Sequence, residues 1–140
     1  MFSYLIYKMQ KYRRVEITID GKAFSALLSD SLPKQIVGLM YRDSLGDGEC
    51  MLFVFGHEGS HPIWMHNMRF PIDVAWLDSA GKIVHIEEGL RPCKSLFRCK
   101  QYGGEAASKF VIEFRKGTIA KEKISRKSRV NLDSKKKEGR

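Results

Sequence analysis

No apolar run in this 140-residue chain approaches the ~20 residues that cross a bilayer as a helix. Phe2 to Tyr7 is apolar but too short for a signal segment, with no basic stretch before it and no small-residue cleavage site after it. The expectation is a retained N-terminus and a cytoplasmic protein with no membrane partner. Cysteine is scarce. Cys50, Cys93 and Cys99 make an odd count with no paired framework, so free thiols are expected in a reducing cytosol. Cys93 and Cys99 have the spacing of neither a zinc knuckle nor a redox pair. A Gly-rich phosphate loop and a nucleophile elbow are also missing. The adjacent Glu87 and Glu88 point to opposite faces of a strand and cannot act together on one substrate unless the strand bulges. No enzyme class is nominated, no catalytic residue is identified, and no cofactor or metal is implied.

The body of the chain also lacks net charge. Residues 1–20 carry +2 and residues 121–140 carry +6 of a total of +9, which leaves +1 for the hundred residues between. Nucleic-acid-binding folds usually concentrate Lys and Arg on one face of the domain. Here the basicity belongs to the ends, so weak, non-specific nucleic-acid contact is expected only through Lys135, Lys136, Lys137 and Arg140. The chain divides into a basic N-terminal extension (1–14), one β-rich domain (15–132) and a basic, disordered tail (133–140).

What the chain does have is a series of short strands. Val15 to Ile19 alternates apolar and polar, Asp20-Gly21 suits a two-residue hairpin turn, and Phe24 to Leu28 returns. Ser31 and Pro33 start a helix with Leu32, Ile36, Leu39 and Met40 on one face and Gly38 inside it. Met51 to Phe55 is apolar throughout, as in a strand covered on both faces. Gly56 to Pro62 reads as a loop and Ile63 to Met68 as a short strand. Pro71 then leads into Ile72 to Leu77, which turns through Asp78 to Lys82 into Ile83 to Glu87. Gly89 to Gly104 is irregular. Phe110 to Phe114 is a strand with Phe110, Ile112 and Phe114 inward. Gly117 to Ser125 reads as a helix or turn, and Val130 to Leu132 as a last strand. This pattern predicts a mainly β fold: a compact antiparallel sandwich or partly closed barrel with one short helix in the N-terminal half.

His57-Glu58-Gly59-Ser60-His61 has the HExxH spacing of zinc proteases, which works only on a helix. Its glycines and the strand running into it predict a polar loop instead. More informative are polar residues on apolar faces, which must be hydrogen-bonded or line a cleft. Asn67 shares a face with Ile63 and Met65, and Asp73 shares one with Ala75 and Leu77. Two readings stand. Asn67 and Asp73 satisfy backbone groups around Arg69-Phe70-Pro71, with Arg42 as an ion-pair partner of Asp73. Alternatively Arg42, Trp64, Asn67 and Asp73 line a cleft for a small ligand.

Gly38-Leu39-Met40-Tyr41-Arg42, Cys50 to Phe55, Ile63 to Met68 and Pro71-Ile72-Asp73 together resemble a prokaryotic family of uncharacterised conserved proteins, the domain of unknown function numbered one hundred and ninety-two. Gly81-Lys82-Ile83-Val84, Pro92 and Val111-Ile112-Glu113 with Gly117 extend the resemblance over about Val15 to Val130. It implies a compact, mainly β fold with a short helix and names no activity. Cys50 stands where the family has Gly, and Met68 where it has Thr. Lys127-Ser128-Arg129-Val130 lacks the family's Gly. The expected function is a non-enzymatic small-ligand-binding or accessory domain with a cleft near the Trp-Met-x-Asn and Pro-x-Asp motifs. The alternatives are a nucleic-acid- or ribosome-associated protein acting through its tail, and an enzyme using Asp73.

Overall fold

A computed structural model describes residues 2–95 and 97–133, and structural statements below concern these. The tail residues Lys135, Lys136, Lys137 and Arg140 lie outside them. The elements in order are α1 (Phe2–Met9), β1 (Arg14–Ile19), β2 (Lys22–Ser29), α2 (Leu32–Val37), β3 (Glu49–Ser60), β4 (Ile63–Trp64), β5 (Ile72–Leu77), β6 (Ile83–Leu90), β7 (Gln101–Tyr102), β8 (Ala107–Arg115), α3 (Thr118–Lys121) and β9 (Val130–Asn131).

Seven strands form one curled sheet, a half-barrel, in the order β6-β5-β8-β3-β2-β1-β9. β4 and β7 form a separate two-stranded ribbon. The fold is mainly β, as expected. All neighbours in the large sheet are antiparallel except β2 and β3, which α2 joins as a crossover. Asp20 and Gly21 both take positive φ, as a tight hairpin turn requires.

Both faces of the sheet are covered, so its central strands carry apolar residues of both parities. One face buries Ile17, Phe24, Leu52, Ile112 and Phe114 beneath Ile119 and Ile124. The other buries Met51, Phe53, Val74, Trp76 and Val111 beneath Leu39, Leu45, Met65 and Phe70. Trp76 is fully buried on this second face, and its indole N–H donates to the carbonyl of His61 at 3.0 Å. Gly103 lies against that indole, where an added Cβ would fall 2.1 Å from the ring.

Several expectations need correcting. α2 ends at Val37, because Gly38 takes φ 50° and ψ −127° and turns the chain away. Leu39 and Met40 therefore lie beyond the helix, although the close packing expected at Gly38 is real. α1 is the longest helix and was not anticipated. It is held by ring contacts of Tyr4 and Tyr7 with Tyr41, all tertiary. His57 lies in β3 rather than in a loop, since that strand runs on to Ser60 after an irregularity between Val54 and Gly59.

Cys93 and Cys99 are not free thiols. Their Cα atoms lie 5.8 Å apart and the two are joined as a disulfide. The pairing closes the loop between β6 and β7 and removes the support that free thiols gave to a reducing compartment. Cys50 is the free cysteine, buried under the sheet, and burial pushes its thiol well above the usual range. No helix among the described residues is long and apolar enough to cross a membrane.

Candidate functional site

A cleft of about 330 Å³ opens between α2, β3, β4 and β8. Its walls are apolar and aromatic: Ile36, Phe53, Phe55, Pro62, Trp64 and Met68. Trp64, 45% exposed on the two-residue strand β4, forms part of the rim with Ile36. Gly38 leaves room at the inner end. A Cβ there would lie 3.2 Å from the Phe53 ring and 3.9 Å from Oε1 of Glu113.

Glu113 is the chemically distinctive residue of this cleft. It lies on β8 between Ile112 and Phe114, so alternation turns it to the opposite face, with Val111. Its register partners are Met51 and Val74, both wholly buried. The side chain is itself buried, at 5% exposure, and makes no hydrogen bond or ion pair among the described residues. Burial pushes its carboxyl up to about 8, so it holds its proton at neutral pH. No Lys, Arg or Asp lines the cleft; His61 is the other titratable side chain.

Three further polar side chains of the cleft, Gln35, Ser60 and His61, have donors engaged elsewhere. Gln35 Nε2 donates to the Val54 carbonyl at 2.8 Å and more loosely to that of Ser29. The Ser60 hydroxyl donates to the Gly104 carbonyl at 2.7 Å. His61 stacks on Phe55, ring centroids 3.9 Å apart, and its Nε2 meets the His57 carbonyl at 2.9 Å. A carbonyl only accepts, so Nε2 carries the hydrogen and Nδ1 of the neutral ring is left as an acceptor.

The four residues singled out from the sequence do not form one site. Trp64 lines the cleft. Asp73 belongs to the opposite face of the sheet, because its parity is that of Ala75 and Leu77. Both its oxygens are engaged: one accepts from the Gly89 N–H at 2.9 Å, the other from Gly117 and Ile119 N–H at 3.0 Å each. It thus caps the start of α3, and its partners are neither Arg42 nor the Asn67 to Phe70 turn. Asn67, at φ 59°, donates from Nδ2 to the Tyr41 hydroxyl at 2.9 Å and to Ser3 Oγ at 3.4 Å, tying down α1. The Arg42 guanidinium lies over the Tyr12 ring at 5.2 Å, and its buried Nε has no partner among the described residues. Burial raises the Tyr12 phenol, while Arg42 beside it acts in the opposite sense.

The HExxH pattern lies at the end of β3 and the residue after it, not on a helix. His61 and His57 are joined through a backbone carbonyl, Glu58 accepts from the Ser79 N–H at 2.8 Å, and no metal-holding cluster occurs among the described residues. Glu113 escaped the sequence reading, which placed it on an outward face. The missed signal was the unbroken run Phe110-Val111-Ile112, which marks a strand covered on both sides.

The model of the DUF192 family, described as an uncharacterized ACR, matches residues 15–132. A protein of unknown function from Novosphingobium aromaticivorans DSM 12444 is similar in structure, with a TM-score of 0.76 and 24% identity over 84% of each chain. So is a protein from Sinorhizobium meliloti 1021 described as a candidate transcription regulator. Its TM-score is 0.77 and its identity 24%, over 87% of this chain and 95% of that one. These likenesses establish the fold. No curated protein matches the chain.

Proposed function

This chain belongs to the DUF192 family, whose description names no activity, and we propose that it is a small-ligand-binding domain whose site is the cleft between α2, β3, β4 and β8. The observation that carries this reading is the unpartnered carboxyl of Glu113 at the inner end of an otherwise apolar cleft. Burying a polar group without a hydrogen bond costs on the order of 1–3 kcal/mol. A ligand that bonds to Glu113 offsets that cost. Apolar clefts with a few convergent polar groups are the usual form of small-molecule sites. Asp73 is buried with both oxygens held by three backbone N–H groups, which argues against an enzyme built on it.

The test is amide chemical-shift mapping against a fragment library. Binders are expected to shift the resonances of Gly38, Phe53, Trp64 and Glu113 together. Trp64→Ala should weaken those binders while leaving the fold intact, since Trp64 is half exposed. Binders that cluster on another surface, or none at all, would overturn the assignment.

A further inference from the structure

We infer that the ligand of this cleft is an organic ammonium ion, a primary or secondary amine on a compact apolar or aromatic body, held by the Glu113 carboxylate. The inference rests on the small-ligand reading above and adds the chemical class.

Gln35, Ser60 and His61 spend their donors inside the protein, on Val54 and Ser29, Gly104 and His57 in turn, and the Trp64 indole N–H at the exposed rim is the donor left over. What those three leave unspent are lone pairs: the amide oxygen of Gln35, the hydroxyl oxygen of Ser60 and Nδ1 of His61. Glu113 adds two carboxylate oxygens once it gives up its proton. A site rich in acceptors suits a ligand that only donates, and an ammonium group has donors and no acceptor. An anion would meet no Lys or Arg here.

The walls fit the same class. Phe53, Phe55 and Trp64 line the cleft, and aromatic rings attract cations as well as apolar bodies. The volume of about 330 Å³ admits a ligand of one ring or a short chain. The proton balance is explicit. Glu113 is neutral in the free protein at pH 7, and the ammonium ion binds to its carboxylate. The carboxyl O–H bond therefore breaks and the proton passes to buffer, with no change in the amine. His61 faces the cleft as well, so the count must be assigned to one of the two residues by substitution.

The experiment is calorimetric titration of the full chain with benzylamine and, separately, with benzyl alcohol, in two buffers of different ionisation enthalpy. Benzylamine is expected to bind at least about tenfold more tightly than the alcohol, as one charge-assisted hydrogen bond allows. About one proton should be released per bound amine at pH 7, and affinity should rise towards pH 8. Glu113→Gln should abolish the proton release and the preference for amine while keeping the alcohol's affinity; His61→Gln should leave the release in place. Equal binding of the two compounds, or amine binding without proton release in the wild-type chain, would overturn the ammonium assignment and leave the small-ligand reading standing. Failure of both compounds and of the fragment library to perturb the cleft would overturn both. Trp64→Ala should weaken both compounds alike, and a loss confined to the amine would move the cation away from Glu113.

Discussion

Glu113 sits where an ionised carboxylate is disfavoured, and this gives the chain a specific pH dependence. Its ordinary value is 4.5 and burial raises it to about 8. Below pH 4.5 the group is protonated in the folded and unfolded states alike and contributes no slope. Between about 4.5 and 8 the folded state keeps a proton that the unfolded state has lost, so its contribution to stability falls as pH rises. Above 8 both states are ionised and the cost is complete, of the order of a few kcal/mol. Glu113→Gln is expected to remove this slope and to be more stable than wild type at pH 9. Urea midpoints of both proteins at pH 5, 7 and 9 check it, and parallel pH profiles would refute it. At this scale the sequence was legible in part. Asp73 was singled out because alternation along β5 puts it on an apolar face; Asn67 was singled out on a strand that in fact ends at Trp64, and it lies in a turn at φ 59°. Their partners were not legible, because Ser3, Tyr41, Gly89, Gly117 and Ile119 come from distant parts of the chain.

Elements whose signals are local were legible: the β1–β2 hairpin with its Asp20-Gly21 turn, the doubly covered β3, and the β5–β6 pair. α1 was not, because six apolar or aromatic residues in eight carry no helical signal until Tyr41 and Asn67 receive them. The Cys93–Cys99 bridge was hidden for a related reason: the loop's path, not the spacing, brings the two together. Asp73 shows how one side chain can hold several elements. It lies on β5, and its carboxylate fastens the positive-φ Gly89 of β6 and the backbone that opens α3. Asn in its place keeps one acceptor and turns an N–H₂ group towards N–H donors. Asp73→Asn is therefore expected to lower stability by about 2–3 kcal/mol, the worth of a hydrogen bond to a charged group. The urea midpoint measures it. An unchanged midpoint would mean that these three N–H groups find other acceptors.

For the whole molecule, charge is spread unevenly along the chain. Residues 21–120 carry +1, and the last twenty residues carry +6. The residues that line the cleft lie in this near-neutral part. Long-range attraction to polyanions is expected, by charge, at the C-terminal end. Any affinity for nucleic acid is thus expected to be independent of sequence and to come from counterion release by Lys135, Lys136, Lys137 and Arg140. Four such contacts on duplex DNA give a slope of log K against log salt of roughly −3.6, so binding should fade quickly as salt rises. Deleting Ser134 to Arg140 should abolish that affinity. The family match ends at residue 132, so the melting temperature and the cleft's response to benzylamine should stay unchanged. Filter binding of the full and truncated chains to two unrelated duplexes at several salt concentrations reads all three quantities of the binding claim: affinity, slope and sequence preference. Affinity that survives the deletion, or that differs between the duplexes, would place a nucleic-acid site on the domain and break the division between neutral body and basic ends.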